Sequence, residues 1–175
     1  MKKILLGVTS GVAVYKACEI VRLLKKQGHE VKVMMTPNAA GLVSPCLFES
    51  LSCNPVYFEM FSRTEDYSVQ HISLAQWADA VLIAPCTLST LSKIAFGICD
   101  NLLTTVFMAL PRETPKFIAP AMNSNMWENP ITRDNAEKIK KLLNVTIIGP
   151  GNGELACGQI GVGTLANVDD IVKHF

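Results

Sequence analysis

The chain has no excess of charge of either sign. Its 175 residues hold 16 Lys and Arg against 15 Asp and Glu, a formal net charge of +1. No basic block stands out, which disfavours nucleic acid as a partner. Long apolar runs are missing too. The most apolar stretches, "ILLGV" (4–8) and "AVLIAP" (80–85), are strand-sized and far short of a bilayer span, so no membrane association is expected. Apolar strand residues begin at Ile4, which leaves no room for a leader segment, and a cytoplasmic location is expected. The six cysteines (Cys18, Cys46, Cys53, Cys86, Cys99, Cys157) contain no CxxC pair and no regular spacing. Neither a zinc site nor a disulfide framework is favoured, and most of these thiols are expected to be buried.

A dinucleotide fingerprint is also lacking. Gly7 and Gly11 do not fit GxGxxG, and the second apolar run ends at Thr36 instead of an acidic residue. NAD is disfavoured on both counts.

What is present is a regular alternation of strand and helix patterns. "KKILLGV" reads as a buried strand, followed by the turn "TSG" and a helix over about 14–27, with Ala17, Ile20, Val21 and Leu24 on one face and Gly28 as its stop. "EVKVMMT", "DAVLIAPC", "KFIAPA" and "NVTIIGP" supply four more strands. "HISLAQWA", "TLSTLSKIAFGIC", "DNLLTTVFMAL", "ITRDNAEKIKKLL" and a short closing segment read as helices, and Asp100 is a candidate N-cap. "SRTEDYSVQ" (62–70) reads as an exposed connection. The expectation is a single α/β domain over 1–175: a three-layer, doubly wound parallel sheet of the Rossmann/flavodoxin-like kind. Nearly half the residues are apolar and only 18% are charged, which suits further burial at subunit contacts.

In such folds ligands collect outside the carboxyl ends of the strands. "TSG" (9–11), "TPN" (36–38), "PCTLST" (85–90) and "PAMNSNMW" (120–127) fall there. Thr9, Ser10 and Gly11 open a helix whose free N–H groups suit an anion, and Thr36 and Asn38 add neutral donors. A monophosphate with an aromatic body fits better than a dinucleotide, and flavin mononucleotide (FMN) is the candidate; an ordinary tight turn is the alternative. Thr87, Ser89 and Thr90 exceed what capping one helix needs, leaving hydroxyls for a ligand's ring edges or ribityl chain.

His71, one of three histidines, lies near this edge at the start of a helix. Its type suits proton transfer near neutrality, although a lone histidine is more often structural. "GNGELACGQIGVG" (151–163) carries five glycines and Cys157, which makes fixed secondary structure unexpected there. It reads either as a mobile flap bearing one thiol or as a loose loop with an incidental cysteine. Met122, Met126 and Trp127 are expected to form an apolar wall.

These pieces together resemble the homo-oligomeric flavin-containing cysteine decarboxylases. The matching stretches are "GVTSGVAVYKA" (7–17), "HISLAQWAD" (71–79), "APCTLSTLSKIAFGICDNLLT" (84–104), "PAMNSNMW" and "ACGQIGVG" (156–163). The resemblance implies FMN held by Ser10, Gly11, Val12, Thr36, Asn38, the turn Thr87, Leu88, Ser89 and Thr90, and Ala121. It implies catalysis by His71, Asn123 and Cys157, with Asn123, Met126 and Cys157 meeting the substrate. Asn123 would hold a carboxylate or amide, and Cys157 would donate a proton from a flap. The match is nearest to the branch acting on 4′-phosphopantothenoylcysteine on the route to coenzyme A. The alternatives are oxidative decarboxylation of a peptide's C-terminal cysteine, flavin prenyl transfer, and a non-catalytic phosphatase-regulatory relative. A trimer, or a dodecamer of trimers, is implied, and a synthetase for the preceding step would come from another polypeptide or from a part not included here. Cys86 and Thr164 depart from the usual pattern; Cys86 reads as a packing change.

Overall fold

The computed structural model describes residues 1–61, 69–156 and 158–175. Six parallel strands form the central sheet: β1 (Lys3–Val8), β2 (Glu30–Met35), β3 (Val56–Tyr57), β4 (Ala80–Cys86), β5 (Lys116–Pro120) and β6 (Val145–Ile147). Their order is β3-β2-β1-β4-β5-β6. The chain thus builds outward from β1 to one side, then returns and builds to the other, which places a topological switch point between β1 and β4.

Strand periodicity explains the layers. In β1, Ile4, Leu6 and Val8 enter one core while Leu5 enters the other. All seven residues of β4 are buried, as a central parallel strand covered on both faces requires. The first core is closed by α1 (Lys16–Lys26), α2 (Pro37–Leu42), α3 (Pro45–Ser52) and α9 (Val168–Val172). The second is closed by α4 (Gln70–Trp77), α5 (Leu88–Phe96), α6 (Leu102–Ala109), α7 (Ser124–Glu128) and α8 (Pro130–Leu143). Each fully buried Leu or Ile in these cores contributes about 1.5–3 kcal/mol of transfer free energy.

The three-layer α/β expectation holds, with differences in detail. The segment after β1 begins as a 3-10 turn, Val12–Tyr15, before α1; Ala17, Ile20, Val21 and Leu24 are buried as the spacing predicts. Gly28 follows α1 at φ +86°, a conformation open to glycine at little cost. The sheet has a sixth strand, β3, whose two residues are too few to carry a period. The glycine-rich stretch is not irregular: β7 (Gly151–Glu154) and β8 (Ile160–Thr164) pair as an antiparallel hairpin. Of "SRTEDYSVQ", residues 62–68 lie outside the described residues. Among the described residues, no helix is long and apolar enough to cross a membrane. Of the five described cysteines only Cys86 is buried; Cys46, Cys53 and Cys99 are exposed and Cys18 is half-buried, against the expectation of mostly buried thiols.

Candidate active site

A cavity of about 230 Å³ opens outside the carboxyl ends of β1, β2 and β4. Ser10, Thr36, Asn38, Thr87, Ser89 and Thr90 line it, six of the residues the sequence assigned to a cofactor. Buried Thr9 holds its two walls together. Its hydroxyl donates to the Pro85 carbonyl at 2.7 Å and accepts from the Thr87 N–H at 3.0 Å. Thr9 is therefore a tie between loops, not a free anion donor.

Helix starts shape the rest of the lining. Thr36 caps α2, its hydroxyl accepting from the Ala39 N–H at 3.3 Å. Thr87 caps α5 by accepting from the Thr90 N–H at 3.3 Å, and the Thr87 hydroxyl donates to the Thr90 hydroxyl at 3.3 Å. Two of the three hydroxyls in "TLST" are thus paired with each other, and exposed Ser89 keeps its own for a ligand. Gly11 is extended at φ −178°, and a Cβ there would come within 3.8 Å of Thr87 Cγ2, so the first loop lies against the α5 start. Leu88 is half-buried, whereas Val12 is 72% exposed outside the cavity lining.

Three lining residues were not foreseen. Lys93 lies one turn beyond Ser89 on α5, and i,i+4 spacing puts the two on one helix face. That spacing was the available signal. Lys93 donates to Asp100 at 2.7 Å, and the Asn101 side-chain amide donates to the same carboxylate at 2.9 Å. The lysine's hydrogen bond chiefly holds the Asp100 carboxyl below the ordinary carboxylate range. Asn101, not Asp100, caps α6, accepting from the Thr104 N–H at 3.1 Å. Asp100 is already engaged by Lys93 and Asn101, and its neighbour takes the cap.

The end of β5 adjoins this cavity. Half-buried Ala121 donates its N–H to the Cys86 carbonyl at 3.0 Å. Asn123 caps α7, its side-chain oxygen accepting from the Asn125 N–H at 2.9 Å. Met122 is half-buried and Met126 is 44% exposed. Trp127 does not join the expected apolar wall. It is 4% exposed within the second core, with the Arg133 guanidinium 4.8 Å over its ring. Its indole anchors α7, so only Met122 and Met126 remain to face a ligand.

The hairpin lies on this loop. The Met122 N–H donates to the Gly163 carbonyl at 2.9 Å. A Cβ on Gly163 would overlap the Met122 carbonyl oxygen, so only glycine permits the approach. At the hairpin tip, the Leu155 N–H donates to the Gln159 carbonyl at 2.8 Å and the Gly158 N–H to the Leu155 carbonyl at 2.8 Å. Cys157 lies outside the described residues. Thr164 stands opposite Gly151, its Oγ1 2.9 Å from where a Cβ would be.

His71 is the second residue of α4 and is half-buried. Because α4 leads into the start of β4, its own start lies at the carboxyl edge of the sheet. The histidine is nevertheless not among the residues lining the cavity. Cys86 faces the second core, and burial pushes its thiol far above the usual range, so it packs and is not a thiolate nucleophile.

A parallel sheet with a hydroxyl-lined cavity at its switch point defines an α/β protein built to hold a small ligand at the strand ends. More particularly, the chain belongs to the Flavoprotein family, which matches it over residues 1–175. It is 44% identical over 172 residues to the "Probable phosphopantothenoylcysteine decarboxylase" of Streptococcus mutans serotype c, covering 98% of this chain and 96% of that one. It is 40% identical over 172 residues to the coenzyme A biosynthesis bifunctional protein CoaBC of Bacillus subtilis, where the match spans 98% of this chain but only 42% of the longer protein. Among solved structures it is similar to a PPC decarboxylase variant complexed with pantothenoylaminoethenethiol, with a TM-score of 0.89, 31% identity and coverage of 99% and 95% of the two chains. The FMN-binding protein AtHal3 superposes with a TM-score of 0.85 at 32% identity, covering 99% and 94%.

Proposed function

We propose that the protein decarboxylates 4′-phosphopantothenoylcysteine to 4′-phosphopantetheine with FMN as cofactor, as a step toward coenzyme A. The observation that carries this reading is a juxtaposition. The loop bearing Asn123 is bonded on one side to the last residue of β4, next in sequence to the cavity-lining Thr87, through Ala121–Cys86, and on the other to the β7–β8 hairpin, through Met122–Gly163.

The lining fits FMN by its donor set. Ser10, Asn38 and Ser89 offer neutral hydrogen-bonding groups and α5 starts at the cavity with N–H groups, while the Lys93 ammonium is paired with Asp100 in the same lining. Ser10, Gly11, Thr36, Asn38, the Thr87–Thr90 turn and Ala121 would hold the group, with Val12 at its outer rim. When bound, FMN supplies a two-electron acceptor and donor, which gives a β-carboxylate the electron sink its loss requires. Asn123 orients the carboxylate as a neutral amide; a cation there would stabilise the ground state and hold the carboxylate back. His71 moves a proton near the thiol or carboxylate. Cys157 delivers the final proton to carbon, and Met122 and Met126 keep water from the reacting carbons.

The cavity of one chain is smaller than the 300–1,000 Å³ usual for ligand pockets. His71 also stands outside it. Both facts favour a site completed by a second copy, hence a homo-oligomer, either a trimer or a dodecamer of trimers. Exposed Val69, Ile72, Phe96, Ile98 and Met108 offer apolar surface for that contact. A phosphopantothenoylcysteine synthetase would supply the substrate, from another polypeptide or from a part not included here.

The test is incubation of FMN-loaded protein with 4′-phosphopantothenoylcysteine, following CO2 and product by mass spectrometry. Saturated 4′-phosphopantetheine is expected. Accumulation of the enethiol alone would favour the peptidyl-cysteine chemistry, which has a structural relative in the peptidyl-cysteine decarboxylase EpiD at 27% identity and a TM-score of 0.80.

A further inference from the structure

We propose that Gly161 is a positioning residue for the reaction, setting the depth at which the β7–β8 hairpin rests on the loop that carries Asn123, with the Ser124 hydroxyl as the stop beneath it. The inference builds on the decarboxylase reading. Ser124 Oγ is buried and has no hydrogen-bond partner among the described residues. Buried hydroxyls are normally paired, so an orphan held beside a candidate catalytic amide calls for a reason.

The reason lies across the interface. A Cβ on Gly161 would overlap Ser124 Oγ, while Ser124 Cβ would lie 3.4 Å away, an ordinary contact. The conflict at 161 is thus with a hydroxyl that rotation about χ1 can move, and glycine there lets Ser124 keep this buried rotamer; the φ of Gly161 lies outside the left-handed region. Gly163 differs on both counts. Its φ is +156°, and its conflict is with the backbone carbonyl of Met122, which no side-chain change can relieve. The hairpin thus rests on the Met122–Ser124 segment at two points, one adjustable and one not. Asn123 sits between them, fixed on its other side by its cap on α7.

The test is a cycle of variants. Gly161→Ala should keep FMN content unchanged, lower kcat at least tenfold and speed hydrogen exchange at the Met122 amide, which bonds to Gly163. Adding Ser124→Ala should restore both to within about threefold of the unsubstituted protein. Gly153→Ala, whose Cβ would meet Thr164 Cγ2 at 3.5 Å, is the control in the partner strand and should move neither. Ser124→Ala alone should keep or raise the melting temperature, since it removes an unpaired buried hydroxyl. A silent Gly161→Ala, or a double variant no better than the single one, would overturn the proposal. The exchange readout decides the seating even if the unsubstituted protein shows no decarboxylation, so the two readings fail separately.

Discussion

At the ends of β1, β2 and β4 the site is made of side chains that bond to each other. Thr9 ties two loops, Thr36 and Thr87 start helices, and Lys93, Asp100 and Asn101 form a linked set. At the end of β5 the site depends instead on side chains that are missing. Gly163 lets one backbone rest on another where any Cβ would collide, and Gly161 leaves room for the Ser124 hydroxyl. The first region should tolerate loss of one hydrogen bond with a graded penalty. The second should fail abruptly when one methyl group is added.

The largest expected effect separates chemistry from both. His71→Asn should abolish turnover while leaving FMN content unchanged, measured by CO2 release and flavin absorbance; normal turnover would remove the histidine from the mechanism. Next is Gly163→Ala. Its backbone conflict and unfavourable φ should cost about 2–4 kcal/mol and at least a hundredfold in kcat, read by chemical denaturation and steady-state kinetics. Thr9→Val tests the tie in the other region. It strands the Pro85 carbonyl and the Thr87 N–H, and should cost about 2–3 kcal/mol and weaken FMN binding, measured by fluorescence quenching. Thr87→Ala removes one cap and should cost about 1 kcal/mol.

The smallest effect is at the Lys93–Asp100 pair, whose side chains are 31% and 49% exposed. Solvent screening limits such a pair, and Asp100→Asn should cost at most about 0.5 kcal/mol. Its pH dependence has a defined sign. The folded-state pKa of Asp100 is lowered, so the contribution is present above the ordinary aspartate pKa, about 3.9, and is lost as pH falls below it. Melting temperatures of the two proteins should converge as pH drops from about 4 and differ by a constant amount above about 5.

Much of this contrast was legible in advance, and the gaps have physical causes. β1, β4 and β5 announce themselves by short apolar runs, because a strand covered on both faces is largely apolar, and β2 by the alternation of Glu30 and Lys32 with Val31 and Val33. The hydroxyls at 87–90 and the amide at 123 stand out because strand ends are where such folds bind ligands. β3 escaped notice because Val56 and Tyr57 show no period. The hairpin is hidden because glycine in a sequence signals backbone freedom, whereas at 161 and 163 it answers a steric demand visible only once residues 122–124 are placed opposite. For Trp127 the sequence does not reveal that the indole turns into the core. Lys93 was passed over because its pairing with Asp100 spans the turn between α5 and α6.

The central claim is that the cavity and the Asn123 loop act together through FMN. The most direct measurement strips the flavin from the purified protein, then adds 4′-phosphopantothenoylcysteine with and without FMN. CO2 and 4′-phosphopantetheine should form in equal amounts only when FMN is restored. Equal turnover by the stripped protein, or none after full reloading, would contradict the account.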